Sequence, residues 1–292
     1  MESNAKPGRS TLRSALQLHS LPFFLTQLVA VVGIVVSGWS WQGLALAVGL
    51  YYARMFFVTT GYHRYFSHRA FRTSRVYQFV MALGGLTAAQ KGPLWWAARH
   101  RHHHRHSDQP GDIHSPVQDG FWWSHMGWFL GDELRPEDLK KIPDFAKYPE
   151  LVWLDHHYWV GPVGFAVSLF LIGGWHALLW GFFVSTTLLW HGTFTINSLS
   201  HVFGSRRYET TDDSRNNGLL ALITMGEGWH NNHHKWPGSA NQGFRWWEYD
   251  ISDWILRLLA LPRIVWDLKR PPARVLAEGL KPTAPVPAPA AS

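Results

Sequence analysis

Two long stretches of this chain, residues 14–53 and 148–205, contain no lysine or arginine. The 27 basic residues and the net charge of +7 therefore belong to the remaining segments. Each gap is long enough for two membrane crossings of about 20 residues. Each also holds a turn near its middle, Ser40-Trp41-Gln42-Gly43 in the first and Gly173-Gly174-Trp175-His176 in the second. The pattern predicts spans over about 21–38 and 43–60, then 158–174 and 177–198. Trp39 and Trp41 are placed as interface anchors. The mean hydropathy of −0.13 would not by itself suggest a membrane protein, but the segregation of charge does. The competing arrangement is a large soluble helical protein with two buried hairpins. Both turns between paired spans lack Lys and Arg, so the positive-inside rule puts both termini and the polar segments on the cytoplasmic side. A basic surface facing anionic lipid headgroups accounts for the charge better than nucleic acid does.

The expected architecture is an all-α integral membrane protein with four transmembrane helices in two hairpins. Residues 1–19 read as a cytoplasmic amphipathic lead without the cleavage site of a signal peptide. A single domain covers 20–270, with a cytoplasmic helical cap from 61–157 and 199–270. Residues 271–292 are a Pro/Ala-rich tail with the composition of a disordered segment. Arg75 to Gln90 and the aromatic stretch Phe121 to Trp128 have the character of interfacial segments. Arg54, inside the second span, is expected to snorkel to the interface or to serve structure.

The chain has 18 histidines and no cysteine, which excludes thiolate metal sites and disulfides. His100, His103 and His104 stand at i, i+3 and i+4, so a helix puts three imidazoles on one face. His102 and His106 point elsewhere. The same spacing returns at His230, His233 and His234. His63 and His68 stand at i, i+5, about 140° apart on an ideal helix, so a shared site needs the helix to end or distort there. Asn197 and His201, at the end of the fourth span, share a face at i, i+4. Neutral imidazole suits zinc, copper, iron and nickel. One zinc needs about four ligands, so this many histidines argue for two metals in one site within the cap. Asp108, Asp112 and Glu227 are the carboxylates nearest in sequence and could orient imidazole N–H groups. A carboxylate-bridged site is disfavoured, because Glu-x-x-His helices are absent. A metal transporter would carry ligands along its spans, which apart from His191 are free of them.

His63-Arg64-Tyr65-Phe66-Ser67-His68, His100-Arg101-His102-His103-His104 and His230-Asn231-Asn232-His233-His234 resemble the three histidine boxes of the membrane fatty acyl desaturases. Their order and spacing match the stearoyl-CoA (delta-9) group. Ser124-His125-Met126-Gly127-Trp128, Asn197-x-x-x-His201 and Gly226-Glu227-Gly228-Trp229 are similar too. The resemblance spans roughly residues 50–250. It implies two iron ions (Fe2+) held by the nine histidines His63, His68, His100, His103, His104, His201, His230, His233 and His234. Asn197 would reach one iron through water. It also implies removal of two hydrogens from a saturated acyl chain by dioxygen, leaving a cis double bond at the delta-9 position. An unactivated C–H bond offers no handle for acid–base chemistry, so the oxidant has to be made at a redox metal. A bent apolar tunnel would fix the position of the bond, with Phe194 facing the substrate.

Gln90 to Trp96 is closer to bacterial, cyanobacterial and plant members, which implies a bacterial inner membrane with the site on the cytoplasmic side. Asp132 and Glu133 stand where animal members are basic. Lys91 and Arg99, beside the second box, are the candidate contacts for the phosphates of an acyl-CoA, the preferred carrier. A membrane lipid is the alternative carrier, and a histidine-box hydroxylase the alternative chemistry. No His-Pro-Gly-Gly haem signature is present, so the electrons are expected from an external donor of the ferredoxin, rubredoxin or cytochrome type, with its reductase. No nucleic-acid partner is expected.

Overall fold

The structure, a computed structural model, describes residues 20–130 and 139–279. The polar lead at 1–19, Asp132 and Glu133, and the Pro/Ala run from 280 onward lie outside the described residues.

Helix α1, Leu21–Ser37, starts with a proline in its first turn and ends at Gly38, where φ of +80° suits glycine. Three residues later Ser40 caps α2, its hydroxyl accepting from the Gly43 amide at 3.0 Å. Helix α2 runs over Trp41–Ser67. It is α-helical to Phe56 and winds as a π-helix over Phe57–Ser67. Helix α3, Arg75–Leu86, is capped by Ser74. Helix α4, Pro93–His106, has no side-chain cap of its own. Asp155, at the end of α5 (Pro149–His156), supplies one from a distance, accepting from the amides of Leu94 at 2.7 Å and Trp95 at 3.0 Å.

Helix α6, Val160–Leu178, is broken at Gly173 and Gly174. Gly174, with φ +59° and ψ −153°, occupies a conformation essentially restricted to glycine. The turn falls where the Gly-Gly pair placed it. A π segment, Leu179–Val184, then leads into α7, Ser185–Ser198, and a 3₁₀ turn brings in His201. Short helices complete the cap: α8 Gly218–Ile223, α9 His230–Lys235, α10 Ile251–Ala260 and α11 Ala273–Glu278. The strands β1, Arg72–Thr73, and β2, Val265–Trp266, pair antiparallel and tie the two cap segments together.

Among the described residues, two helical runs are long and apolar enough to cross a membrane, Trp41–Ser67 and the kinked Val160–His201, and α1 is a shorter apolar helix. Helices α1 and α2 and the π segment Leu179–Val184 meet over Ala30, Ala47, Leu179, Trp180 and Val184. Gly43 lets α2 approach the Trp180 ring so closely that a Cβ would collide with it. On the outside, Val35, Val36, Leu171 and Ile172 are 78–84% exposed. Large apolar side chains left bare over contiguous helices need an apolar surrounding.

Two expectations are corrected. Arg54 does not snorkel; it is 3% exposed. Its guanidinium donates to Thr186 Oγ1 at 2.8 Å, Ser185 Oγ at 2.6 Å and the carbonyls of Thr87 and Leu50 at 3.0 and 3.2 Å. Oxygens from three elements satisfy it in place, so it has no need to reach water. The tail does not begin at 271 either. α11 docks Val275 against Tyr208 and Phe244, and this burial holds Ala273–Glu278 helical.

Candidate metal centre

The three histidine boxes converge. Ring nitrogens of His63, His68, His100, His104 and His233 lie within 4.8 Å of one another, and so do those of His103, His201, His230 and His234. Each H-x-x-H-H motif straddles both groups. His100 and His104 serve the first cluster and His103 the second, while His233 serves the first and His230 and His234 the second. The helical face that carries the three imidazoles lies along the boundary between the clusters.

The π-winding of α2 joins His63 to His68. In a π-turn residue i+5 bonds back to residue i, and the His68 amide donates to the His63 carbonyl at 3.2 Å. The distortion that the i, i+5 spacing demands is therefore a π-helix rather than a helix end. Asn197, at the end of α7, lines a cavity of about 40 Å³ with His63, His100, His103, His230 and Thr193.

Carboxylates fix the ring orientations. Asp112 receives His103 Nδ1 at 2.9 Å, Asp108 receives His201 Nδ1 at 2.7 Å, and Glu227 receives His63 Nδ1 at 2.5 Å. Asp212 receives His234 Nδ1 at 2.7 Å. An Nδ1–H donor leaves Nε2 as a bare lone pair. Nε2 atoms then crowd together, 3.0 Å apart for His63 and His233, 2.9 Å for His100 and His104, and 3.1 Å for His201 and His230. Among the described residues, His103 Nε2 and His234 Nε2 are buried with no hydrogen-bond partner. Lone pairs aimed at each other in a buried space fit a cation between them, and the all-imidazole donor set suits a borderline metal such as iron.

Burial first, then neighbouring imidazoles, push His68, His100, His104, His230, His233 and His234 well below the usual histidine range. These rings stay neutral and able to ligate. Burial alone would raise the carboxyls of Asp108, Asp112 and Glu227. The adjacent His201, His103 and His63, with Arg64 beside Glu227, outweigh it and hold all three below the carboxylate range.

Asp212 escaped the sequence reading, being separated from His234 by a loop with no periodicity. Spacing gives no sign of the role of Arg64 either. It is fully buried inside the first box, donates to Glu227 at 3.0 Å and Asp250 at 3.0 Å, and so braces the carboxylate that holds His63. The only sequence signal was an arginine between two candidate ligands.

An apolar cavity of about 560 Å³ adjoins the centre, lined by Phe23, Trp95, Trp128, Phe129, Trp190 and Phe194, among others. That is the size range of small-ligand pockets. Lys91 also lines it, with Nζ 4.7 Å from the Trp95 ring centroid. Arg99 lies outside the lining, with its guanidinium 6.0 Å from the same ring. Trp96 borders both this cavity and the smaller one, and stacks on His100 at 4.9 Å. Its indole N–H donates to Gln90 at 3.4 Å, and Gln90 donates to Thr193 at 2.9 Å.

Fold and site thus define a mostly helical protein whose paired histidine clusters, able to bind metal, sit beside an apolar cavity. The fatty acid desaturase family model matches residues 38–264. The sn-2 palmitoyl-lipid 9-desaturase of Nostoc sp. (strain 36) is 38% identical over 227 residues, 75% of this chain and 79% of that protein. The sn-1 stearoyl-lipid 9-desaturase of Synechocystis sp. is 36% identical over 262 residues, 87% of this chain and 81% of that protein. The acyl-CoA 5-desaturase AL21 of Anemone leveillei is 34% identical over 241 residues, 80% of this chain and 73% of that protein. The chain belongs to the fatty acid desaturase family. It is an oxygen-dependent desaturase of bacterial type, acting on fatty acyl chains.

Proposed function

We propose that the chain is an integral membrane di-iron desaturase that places a cis double bond at the 9 position of a saturated acyl chain. Four crossings put both termini and the histidine clusters on the cytoplasmic side of a bacterial inner membrane. The observation that carries the reading is the pair of imidazole clusters, five and four strong, against an apolar cavity. The nine histidines would hold two irons, with Asn197 beside them. When bound, the irons supply the reduction of dioxygen and an oxidant for an unactivated C–H bond. Asp108, Asp112, Asp212 and Glu227 keep the rings in the ligating tautomer. The Trp96–Gln90–Thr193 bonds hold the wall between chain and centre, and so set which carbons come within reach. Apolar walls exclude water while the chain is held.

For the carrier, two observations favour a chain esterified to a membrane lipid over the acyl-CoA suggested by the basic residues. Leu25 of α1 and Val163 and Val167 of α6 line the cavity yet are half exposed. The cavity therefore opens sideways between apolar helices, toward lipid. The two cyanobacterial relatives also carry acyl-lipid names. Acyl-CoA remains the second reading, supported by Lys91 at the cavity wall. Purified protein with a reducing partner, given phospholipid-esterified stearate or stearoyl-CoA, separates the two. We expect monounsaturated product from the lipid. Turnover of the thioester alone would reverse the carrier, and hydroxylated product would refute desaturation.

A further inference from the structure

The desaturation reaction leaves an electron debt. One dioxygen, two hydrogens from the chain, two protons and two further electrons yield the double bond and two waters. The chain supplies one electron pair through its broken C–H bonds, and the second pair must come from outside. The chain has no cysteine for an iron–sulfur cluster of its own. On the desaturase reading a separate reduced carrier protein supplies the electrons, and they need a way in.

Among the described residues, a surface cavity separate from the acyl cavity reaches a clustered histidine. About 260 Å³ in volume, it is lined by His68, Arg69, Phe71, Arg72, Asp267 and Lys269. It shares no lining residue with the acyl cavity. His68 thus borders this opening while its Nε2 lies 2.8 Å from that of His100 inside the first cluster. A single imidazole separates the cavity from the centre.

The rim is basic. The side chains of Arg69 and Arg72 are 65% and 72% exposed. Each has one loose acidic neighbour, Asp144 at 3.7 Å and Asp267 at 3.3 Å, and pairs this exposed bind weakly. Lys269 lies against the Arg69 carbonyl at 2.8 Å and is exposed. An adjoining depression of about 170 Å³ shares Arg69 and Arg72 and adds Lys147 and Trp266. The antiparallel pairing of β1 and β2 holds Arg72 opposite Trp266, so the patch sits on a braced surface. Basic residues ringing a partly exposed tryptophan suit an acidic protein partner, with steering from the charges and an anchor from the ring.

We infer that Arg69, Arg72, Lys147 and Lys269 form the docking surface for a small acidic one-electron carrier protein, with His68 as the point of electron entry. This rests on the desaturase reading above, and the test keeps the two separable. The full-length protein in nanodiscs is titrated with an acidic plant-type [2Fe–2S] ferredoxin, and affinity is measured at low and high salt. Arg69→Glu with Arg72→Glu should weaken binding about tenfold or more at low salt, with the difference shrinking at high salt. The neutral pair Arg69→Gln with Arg72→Gln should give a smaller loss. Arg274→Glu, an exposed reversal on α11, should leave affinity within about twofold. Ferredoxin-driven product should fall relative to dithionite-driven product in the double variant. Equal affinity in wild type and double variant would overturn the docking surface. So would saturable coenzyme A binding that the variant abolishes while ferredoxin binding persists. Absence of product with dithionite as well would instead count against the desaturase reading, because the affinity measurement needs no turnover.

Discussion

At the scale of single residues, the site depends on which nitrogen of each ring carries the proton. Asp212 fixes that choice for His234. Asp212→Ala frees the ring to turn and should weaken metal binding about 10–100-fold, read by metal titration of the purified protein. Asp212→Asn should fall between, since the amide keeps an acceptor oxygen but loses the charge. Unchanged affinity in Asp212→Ala would show that His234 is oriented by its packing alone. Arg54 makes the contrasting case. Its partners come from α2, α7 and the Thr87 turn, and no local pattern announces that three distant oxygens will gather around one guanidinium. Burial was illegible there for the same reason that Asp212 was: the partner is brought by the fold and not by spacing.

At the scale of elements, what the sequence made legible was whatever repeats on a short period. His100, His103 and His104 on one face, the Gly173-Gly174 break and the apolar helices all follow from spacing along a few turns. The His63–His68 pair was legible only as a demand for distortion, because a π-helix leaves no residue signature. The cap of α4 was not legible at all. Asp155 lies some sixty residues from the amides it serves. Removing it by Asp155→Ala should cost about 1–2 kcal/mol, measured as a lowered unfolding midpoint. Burial first, against the two amide bonds, moves this carboxyl up to about 6 from its usual 3.8. Between these values the folded state holds more protons than the unfolded one. The group's contribution to stability therefore falls as pH rises from about 4 to 6, and is level above. Asp155→Asn keeps an acceptor and cannot titrate, so it should flatten that slope. An identical slope in Asp155→Asn would assign it to other groups.

At the scale of the whole molecule, the bundle, the histidine clusters and the cavity act together only if the apolar helices cross a bilayer and leave the clusters at one side. The chain lacks cysteine, so Trp39→Cys and Ser40→Cys at the first turn, and Trp175→Cys at the second, give clean labelling sites. A membrane-impermeant reagent should reach all three from the periplasmic side, and labelling from the cytoplasmic side would invert the topology. Within that frame the clusters, five imidazoles and four, have room for two metals and too many donors for one. The metal content of the purified protein, with Mössbauer spectroscopy of the iron, therefore bears on everything else. About two irons per chain as a coupled pair are expected, falling to about one in His103→Ala, which strips a ligand from the second cluster only. A single zinc per chain, or wild-type iron content in His103→Ala, would contradict a di-iron centre built from these nine histidines.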